Sequence, residues 1–86
     1  MAGIKEYFEL VSQVKKAGKY EGEKVKIYRG SLGAEDYDVH LKLPDGKWIT
    51  DNYATPLAYV VRFAFRDRYG FNAPIHWFEE MNKGAE

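Results

Sequence analysis

The chain has 86 residues, 45% of them hydrophobic and 16% aromatic, and its 13 basic residues balance 13 acidic ones. This length allows one domain, residues 1–86, and the composition supplies a core rather than a disordered segment. A balanced charge gives no general attraction to nucleic acid or to an anionic membrane, so any nucleic-acid surface must be a local patch. The absence of cysteine excludes disulfides, zinc–thiolate sites and thiol nucleophiles. It also indicates either a reducing compartment or a core that is sufficient without disulfides, and we expect a cytoplasmic protein.

The first predicted element is a helix over residues 3–17. Its apolar residues recur at the spacing of one helix face. Lys15 and Lys16 lie in the last turn and Gly18 follows it, as is typical of a helix C-terminus. The apolar stripe consists of Ile4, Tyr7, Phe8, Leu10, Val11 and Val14.

Three strands are predicted in the middle of the chain. Residues 24–30 and 36–43 alternate apolar and polar side chains, which is typical of an antiparallel sheet with one solvated face. The segment Pro44-Asp45-Gly46 predicts a turn, because proline presets φ and glycine permits positive φ. Residues 47–50 then return as the third strand of a meander.

Two helices are predicted after the sheet. Thr55 is the expected N-cap of the first, with Pro56 at the first helical position and Gly70 at its end. In this helix, residues 56–69, the apolar arc spans about 200° and is widened at its edges by Phe63 and Phe65. Asn72 is the expected cap of a third helix over residues 73–83.

The sequence therefore predicts an α+β fold: an N-terminal helix, a three-stranded antiparallel meander and two C-terminal helices (α-β-β-β-α-α) packed on one face of the sheet. The apolar breadth of residues 56–69 predicts a central helix that covers the sheet. A second copy of the chain is the alternative cover, and it would make the protein a homodimer. No run of about 18 apolar residues is present, so we expect no membrane span.

A catalytic site is not expected. His40 and Asp38 share the polar face of a strand and offer the one carboxylate–imidazole pair that would serve an enzyme. His76 is followed at helical spacing by Glu79 and Glu80, which predicts a local hydrogen bond or ion pair. The sequence contains no metal-binding motif, and we expect no metal or cofactor.

Two surfaces are candidates for binding. The polar side of helix 56–69 combines tyrosine with arginine, which suits both phosphate or base recognition and a protein interface. Pairing of its arginines with nearby carboxylates such as Asp67 is the structural alternative. Its members are Tyr59, Arg62, Arg66 and Tyr69, to which Trp77 is added from the last helix. A basic run that includes Lys24 and is interrupted by Glu21 and Glu23 is the second surface. Its candidate phosphate contacts are Lys15, Lys16, Lys19, Lys26 and Arg29.

Several short motifs carry a family resemblance over about residues 10–80. The chain resembles RAMA domains, small modules attached to restriction and DNA-modification proteins. The matching pieces are Lys16-Ala17-Gly18, Gly22, Val25, Asp45-Gly46, Trp48-Ile49, Thr55-Pro56, Gly70 and Trp77-Phe78. The resemblance implies a DNA-binding accessory domain, with Thr55, Trp77 and the Arg62 and Arg66 stripe near the ligand.

Three hypotheses follow. The favoured one is a small non-catalytic protein-binding module, such as an inhibitor or accessory protein of a phage or other mobile element, because the chain is neutral. The alternative is a DNA-binding accessory domain, in which arginines reach phosphates and affinity falls steeply with salt. The third is an enzyme that uses His40 and Asp38.

Overall fold

The computed structural model describes residues 4–33 and 35–70. Its four strands form one antiparallel sheet in the order β1-β2-β3-β4. A helix precedes the sheet and another follows it. In chain order the elements are α1 (Ile4–Ala17), β1 (Lys19–Glu21), β2 (Val25–Arg29), β3 (Tyr37–Lys42), β4 (Trp48–Tyr53) and α2 (Leu57–Tyr69).

The predicted order α-β-β-β-α-α is wrong. The sheet has a fourth strand, β1, and one helix follows the sheet in the described part of the chain. Strand β1 is three residues long, and Tyr20 is its one apolar residue, so it carries almost no alternation of its own. It is a strand because it pairs with β2, with Tyr20 opposite Ile27. The predicted helix over residues 73–83 lies outside the described residues.

One core lies between the sheet and the two helices. Helix α1 packs on β1 and β2, and α2 packs on β3 and on α1. The stripe predicted for α1 supplies four fully buried side chains, while Phe8 is half-buried. The predicted alternation of β2 and β3 is confirmed, because Val25, Ile27, Tyr37, Val39 and Leu41 are buried and the residues between them are not. The buried side chains are Tyr7, Leu10, Val11, Val14, Tyr20, Val25, Ile27, Tyr37, Val39, Leu41, Leu57, Ala58, Val60, Val61, Ala64 and Phe65.

The predicted central helix is confirmed over Leu57–Tyr69, but its start differs from the prediction. Pro56, not Thr55, occupies the N-cap position, and no side chain caps the helix there. The Pro56 carbonyl accepts hydrogen bonds from the N–H groups of Tyr59 and Val60 at 3.0 and 3.2 Å. Gly70 ends the helix in the left-handed conformation, with φ of 72°, which glycine adopts without strain.

The turn predicted at Pro44-Asp45-Gly46 joins β3 to β4. Gly46 has φ of 91°, and its N–H donates to the Leu43 carbonyl at 2.9 Å. The Leu43 N–H donates to the Lys47 carbonyl at 2.7 Å, and the Lys47 N–H donates to an Asp45 carboxylate oxygen at 2.9 Å. This is a three-residue hairpin loop of the type I plus bulge class. It fixes the register of β4, with Ile49 opposite Leu41.

Candidate protein-binding surface

Strand β4 extends the sheet beyond the helices. Its residues Ile49, Asp51 and Tyr53 stand opposite Leu41, Val39 and Tyr37. They therefore share the face that the helices cover on β2 and β3. Yet Ile49 is 42% exposed, Asp51 is exposed and Tyr53 is half-buried. The residues of β4 that alternation assigns to the core thus remain at the surface.

An exposed aromatic surface begins where β4 meets α2. The rings of Tyr53 and Phe63 stack with their centroids 6.0 Å apart and their planes 22° apart. The guanidinium carbon of Arg66 lies 5.8 Å from the Phe63 ring centroid, in the range of a cation–π contact. Phe63 is 36% exposed and Tyr59, one turn earlier on the same helix face, is 42% exposed. We call Tyr53, Tyr59, Phe63 and Arg66 the aromatic–arginine surface.

Charges surround Tyr53 at this surface. Burial raises the pKa of the Tyr53 hydroxyl, and the carboxylates of Asp51 and Asp67 raise that pKa further. The Arg66 guanidinium acts in the opposite direction on the same pKa. The surface therefore combines three aromatic rings and an arginine, which are residue types enriched at protein interfaces, with two carboxylates beside them.

The residues predicted to form the polar, tyrosine- and arginine-containing side of helix 56–69 lie in different environments. Tyr59 and Arg66 are exposed, whereas Arg62 is half-buried. The charge of Arg62 acts on Tyr7 and lowers a pKa that burial raises well above the usual range of a tyrosine. Neither Arg62 nor Arg66 forms an ion pair with another residue of the described ranges. The side chain of Tyr69 and all of Trp77 lie outside the described part of the structure.

The candidate phosphate contacts divide into two groups. Lys15 and Lys16, at the end of α1, line a surface hollow of about 380 Å³ together with Ser12 and Arg29. They meet because Gly18 turns the chain back into the sheet, where its carbonyl accepts a 2.9 Å hydrogen bond from the Arg29 N–H. The hollow lies at the carbonyl end of a helix, so the lysines also offset the negative end of the helix dipole.

The other two lysines belong to the outer face of the sheet, which neither described helix covers. The Lys19 ammonium lies 3.6 Å from the Glu21 carboxylate. The Tyr28 hydroxyl donates a 2.8 Å hydrogen bond to Glu21. This bond lowers the pKa of Glu21, and the charge of Lys19 lowers the same pKa further. The bond also raises the pKa of Tyr28. The Lys26 ammonium lies 4.6 Å from the Trp48 ring centroid. Both cations thus contact groups within the chain.

His40 and Asp38, the pair that an enzyme would use, contact different residues and not each other. His40 Nδ1 lies 3.0 Å from the Thr50 hydroxyl, and its ring meets the Tyr28 ring edge to face at 5.3 Å. Asp38 instead accepts a 2.8 Å hydrogen bond from the Asn52 side-chain amide. Each of the two side chains therefore has a structural contact of its own with β4. Within residues 4–33 and 35–70, no three acidic or histidine side chains group closely enough to hold a metal ion.

Sequence reasoning missed Ile49, Tyr53 and Phe63 as surface residues. Phe63 is at the edge of the apolar arc of α2, and residues at such an edge are covered only where a neighbouring element reaches them. Ile49 and Tyr53 alternate as core residues do, and only the position of β4 at the end of the sheet exposes them. Spacing along the chain does not encode that position.

Comparison of the chain with protein-family models, with curated proteins and with solved structures found no match in any of the three. The resemblance to RAMA domains therefore stays a prediction. Neither helix of the described part has the length and apolar character needed to cross a bilayer.

Proposed function

We propose that the protein is a small non-catalytic module that binds another protein through the aromatic–arginine surface. The observation that carries this proposal is the stacked pair of Tyr53 and Phe63, which lies at the surface with Arg66 beside it. Tyrosine and arginine are enriched among the residues that dominate binding energy at protein interfaces. The neutral charge of the chain also favours a protein over a polyanion as the partner.

The arrangement of this surface supports a binding role over a purely structural one. A stacked aromatic pair holds two rings in fixed orientations before a partner arrives, so little side-chain entropy is lost on association. Arg66 contacts Phe63 but makes no ion pair with a described residue. As far as residues 4–33 and 35–70 are concerned, its guanidinium donors are therefore open to carbonyl or carboxylate groups of a partner.

The proposal includes a cytoplasmic location, which the lack of cysteine supports. Binding of this kind suits an inhibitor or an accessory protein, and the two differ in the effect on the partner's activity. That effect becomes measurable once the partner is isolated.

The test is retention from a cell lysate on immobilised full-length protein, with and without nuclease and at low and high salt. We expect the wild-type protein to retain a stoichiometric partner that survives nuclease and high salt. Phe63→Ala and Arg66→Ala should lose that partner. Leu32→Ala, at a residue that is 87% exposed on the loop between β2 and β3, is the matched apolar control and should keep it. Retention that Phe63→Ala and Arg66→Ala leave unchanged would contradict the proposed surface.

A second candidate function, nucleic-acid binding, is favoured by one specific observation. Lys15, Lys16 and Arg29 converge with Ser12 on one hollow, and such a cluster suits a backbone phosphate. About three phosphate contacts predict a fall in affinity with salt of slope about −3 on logarithmic axes. Anisotropy of a labelled DNA duplex measures this slope, and Arg29→Ala should weaken binding while Arg66→Ala should not. In the lysate experiment, this function predicts that nuclease removes all retained material.

A further inference from the structure

The free edge of β4 is a second unassigned feature of the molecule. β4 is the last strand of the sheet in the described part of the chain. The hydrogen bond from the Leu43 N–H to the Lys47 carbonyl fixes which residues bond inward, because the pattern alternates along an antiparallel ladder. Residues 47, 49, 51 and 53 therefore bond to β3. Trp48, Thr50 and Asn52 direct their backbone N–H and C=O groups towards the free edge.

The side chains beside this edge would suit a particular antiparallel neighbour. On the face shared with the helices, Lys47, Ile49 and Asp51 follow one another at alternate positions, and all three are exposed. A suitable antiparallel strand would place an acid beside Lys47, an apolar residue beside Ile49 and a base beside Asp51. Read along its own chain direction, that strand has the order base, apolar, acid. β4 itself has this order when it is turned by a two-fold rotation about Ile49.

We infer that two copies of the chain pair β4 with β4 in antiparallel orientation about Ile49, and that they form one continuous eight-stranded sheet. Ile49 then lies beside Ile49 of the second copy, and Lys47 lies beside its Asp51 on both sides of the axis. Trp48 and Thr50 exchange backbone hydrogen bonds with Thr50 and Trp48 of the second copy. The pairing leaves no free edge at β4 and covers the exposed part of Ile49.

Other registers of the same edge are less favourable. A two-fold rotation about Thr50 keeps the backbone in phase but places each Ile49 beside Asp51. A rotation about Asp51 places two carboxylates side by side, which is destabilising. A charge that faces inward on an edge strand commonly prevents pairing of this kind. In the register about Ile49, Lys47 neutralises that charge.

The helices leave room for this pairing. Helix α2 packs on β3, and three strand spacings of about 4.8 Å would separate β3 from β3 of the second copy. The two α2 helices then lie about 14 Å apart, beyond the roughly 8–10 Å at which helices pack in contact. Tyr59, Phe63 and Arg66 lie on α2 and not in the paired strands. Tyr53, the fourth residue of the aromatic–arginine surface, is the last residue of β4, so the interface adjoins that surface but leaves its α2 residues free of the pairing.

Charge exchange between Lys47 and Asp51 tests the inference on the full-length protein. Sedimentation equilibrium over a concentration series should show a reversible dimer for the wild type. Lys47→Asp and Asp51→Lys should each raise the dissociation constant at least about tenfold, because each replaces two unlike pairs by two like pairs. An equimolar mixture of the two variants should form a heterodimer, since its charges are again complementary. The double variant, which reverses both charges in one chain, should dimerise like the wild type.

The control is Lys5→Asp, which makes the same change of charge at an exposed position on α1. It should leave the dissociation constant unchanged, and far-UV circular dichroism should show that every variant is folded. A wild-type protein that stays monomeric throughout the series would overturn the inference. So would a dimer that both single variants leave intact, or variants that stay monomeric when mixed. Phe63→Ala should leave the dimer intact, so failure of this inference is distinguishable from failure of the proposed function.

Discussion

The side-chain amide nitrogen of Asn52 lies 2.7 Å from a carboxylate oxygen of Asp36 and donates a hydrogen bond to it. The second hydrogen of the same amide group is donated to Asp38 at 2.8 Å, and the Tyr37 carbonyl at 3.3 Å shares one of the two hydrogens. Asp36 is the one charged residue that is buried in the described part of the chain, and its other carboxylate oxygen accepts the Leu32 N–H at 3.0 Å. One amide therefore ties β4 to β3 and to the loop that precedes β3.

Replacement of Asn52 by aspartate tests this role. Asn52→Asp keeps the shape but places a third carboxylate beside Asp36 and Asp38, so it should lower the free energy of unfolding at pH 7 by about 1–3 kcal/mol. The neighbouring carboxylates raise the pKa of the new group in the folded state above that in the unfolded chain, which is about 3.9. The variant then loses stability as the pH rises from the pKa of the unfolded chain through the higher pKa of the folded state. Its loss of stability relative to the wild type should therefore be smaller at pH 4 than at pH 7.

Urea unfolding at both pH values measures this difference. Asn52→Ala is the control, because it removes the same hydrogen bonds without adding a titrating group. Its deficit should change less between pH 4 and pH 7 than that of Asn52→Asp. Equal pH dependence of the two variants would show that the carboxylates do not act on residue 52.

The same carboxylate explains why residue 30 is glycine. A Cβ atom at Gly30 would meet a carboxylate oxygen of Asp36 and would lie 2.6 Å from its carboxyl carbon. The Gly30 N–H also donates to the Asp36 carbonyl at 2.7 Å, so the two backbones are held together. Gly30→Ala should lower the free energy of unfolding by about 1–3 kcal/mol, since overpacking displaces a fixed group.

Thermal or urea unfolding of Gly30→Ala checks this effect. Ser31→Ala, at the exposed neighbouring position, is the control and should lie within about 0.5 kcal/mol of the wild type. A Gly30→Ala protein as stable as the wild type would mean that the Asp36 side chain moves aside without cost.

The sequence was sufficient for the elements that carry their own periodicity. In α1, in β3 and in α2, the buried side chains repeat at intervals that only a helix or a strand brings to one face. Strand β1 could not be predicted, because Tyr20 is its one apolar residue and pairing with β2 makes it a strand. Thr55 is a residue type that commonly caps a helix, and the sequence therefore predicts Pro56 as the first helical residue. The helix instead begins one residue later, at Leu57.

The candidate site was predictable only in part, for the same physical reason. Tyr59 and Arg66 lie on the polar arc of α2, and that arc follows from the sequence alone. The exposure of Phe63 depends on which element lies beside α2, and that of Ile49 depends on the place of β4 in the sheet. The convergence of Arg29 with Lys15 and Lys16 depends on the turn at Gly18, which brings residues of two elements together.

Alkaline pH should destabilise the protein through Tyr20. Its hydroxyl donates a 3.2 Å hydrogen bond to Glu6, and burial, followed by the Glu6 charge, raises the pKa of Tyr20 from 10.0 to about 12. The folded protein therefore holds the proton more tightly than the unfolded chain. The stability that this provides is complete below pH 10 and is lost as the pH rises to about 12.

Tyr20→Phe isolates this contribution. Phenylalanine keeps the ring in the core but carries no proton, so the variant should lose less stability than the wild type between pH 10 and pH 12. At pH 7 it should be less stable by about 1 kcal/mol, the cost of one hydrogen bond. Unfolding midpoints in urea at pH 7, 10 and 12 give both quantities. A parallel decline of the two proteins above pH 10 would exclude Tyr20 as the source.

Two phenylalanines of α2 differ in burial, and truncating each of them tests both the packing of the core and the exposure of the aromatic–arginine surface. Phe65 is fully buried and meets the Tyr7 ring edge to face at 5.3 Å, whereas Phe63 is 36% exposed. Phe65→Ala should lower the free energy of unfolding by about 3–5 kcal/mol, because it leaves a cavity in the core. Phe63→Ala removes part of a half-covered side chain together with its contacts to Tyr53 and Arg66, so it should cost about 1 kcal/mol.

The two substitutions are chemically identical, lie two residues apart and have the same intrinsic effect on helix propensity. The difference in their cost therefore reports the burial and the contacts of the two rings. Urea unfolding followed by circular dichroism measures it. A loss of stability in Phe63→Ala as large as that in Phe65→Ala would mean that Phe63 belongs to the core. The binding test that uses Phe63→Ala would then report unfolding instead of contact with a partner. A small loss keeps that variant folded, so any failure to bind arises at the surface itself.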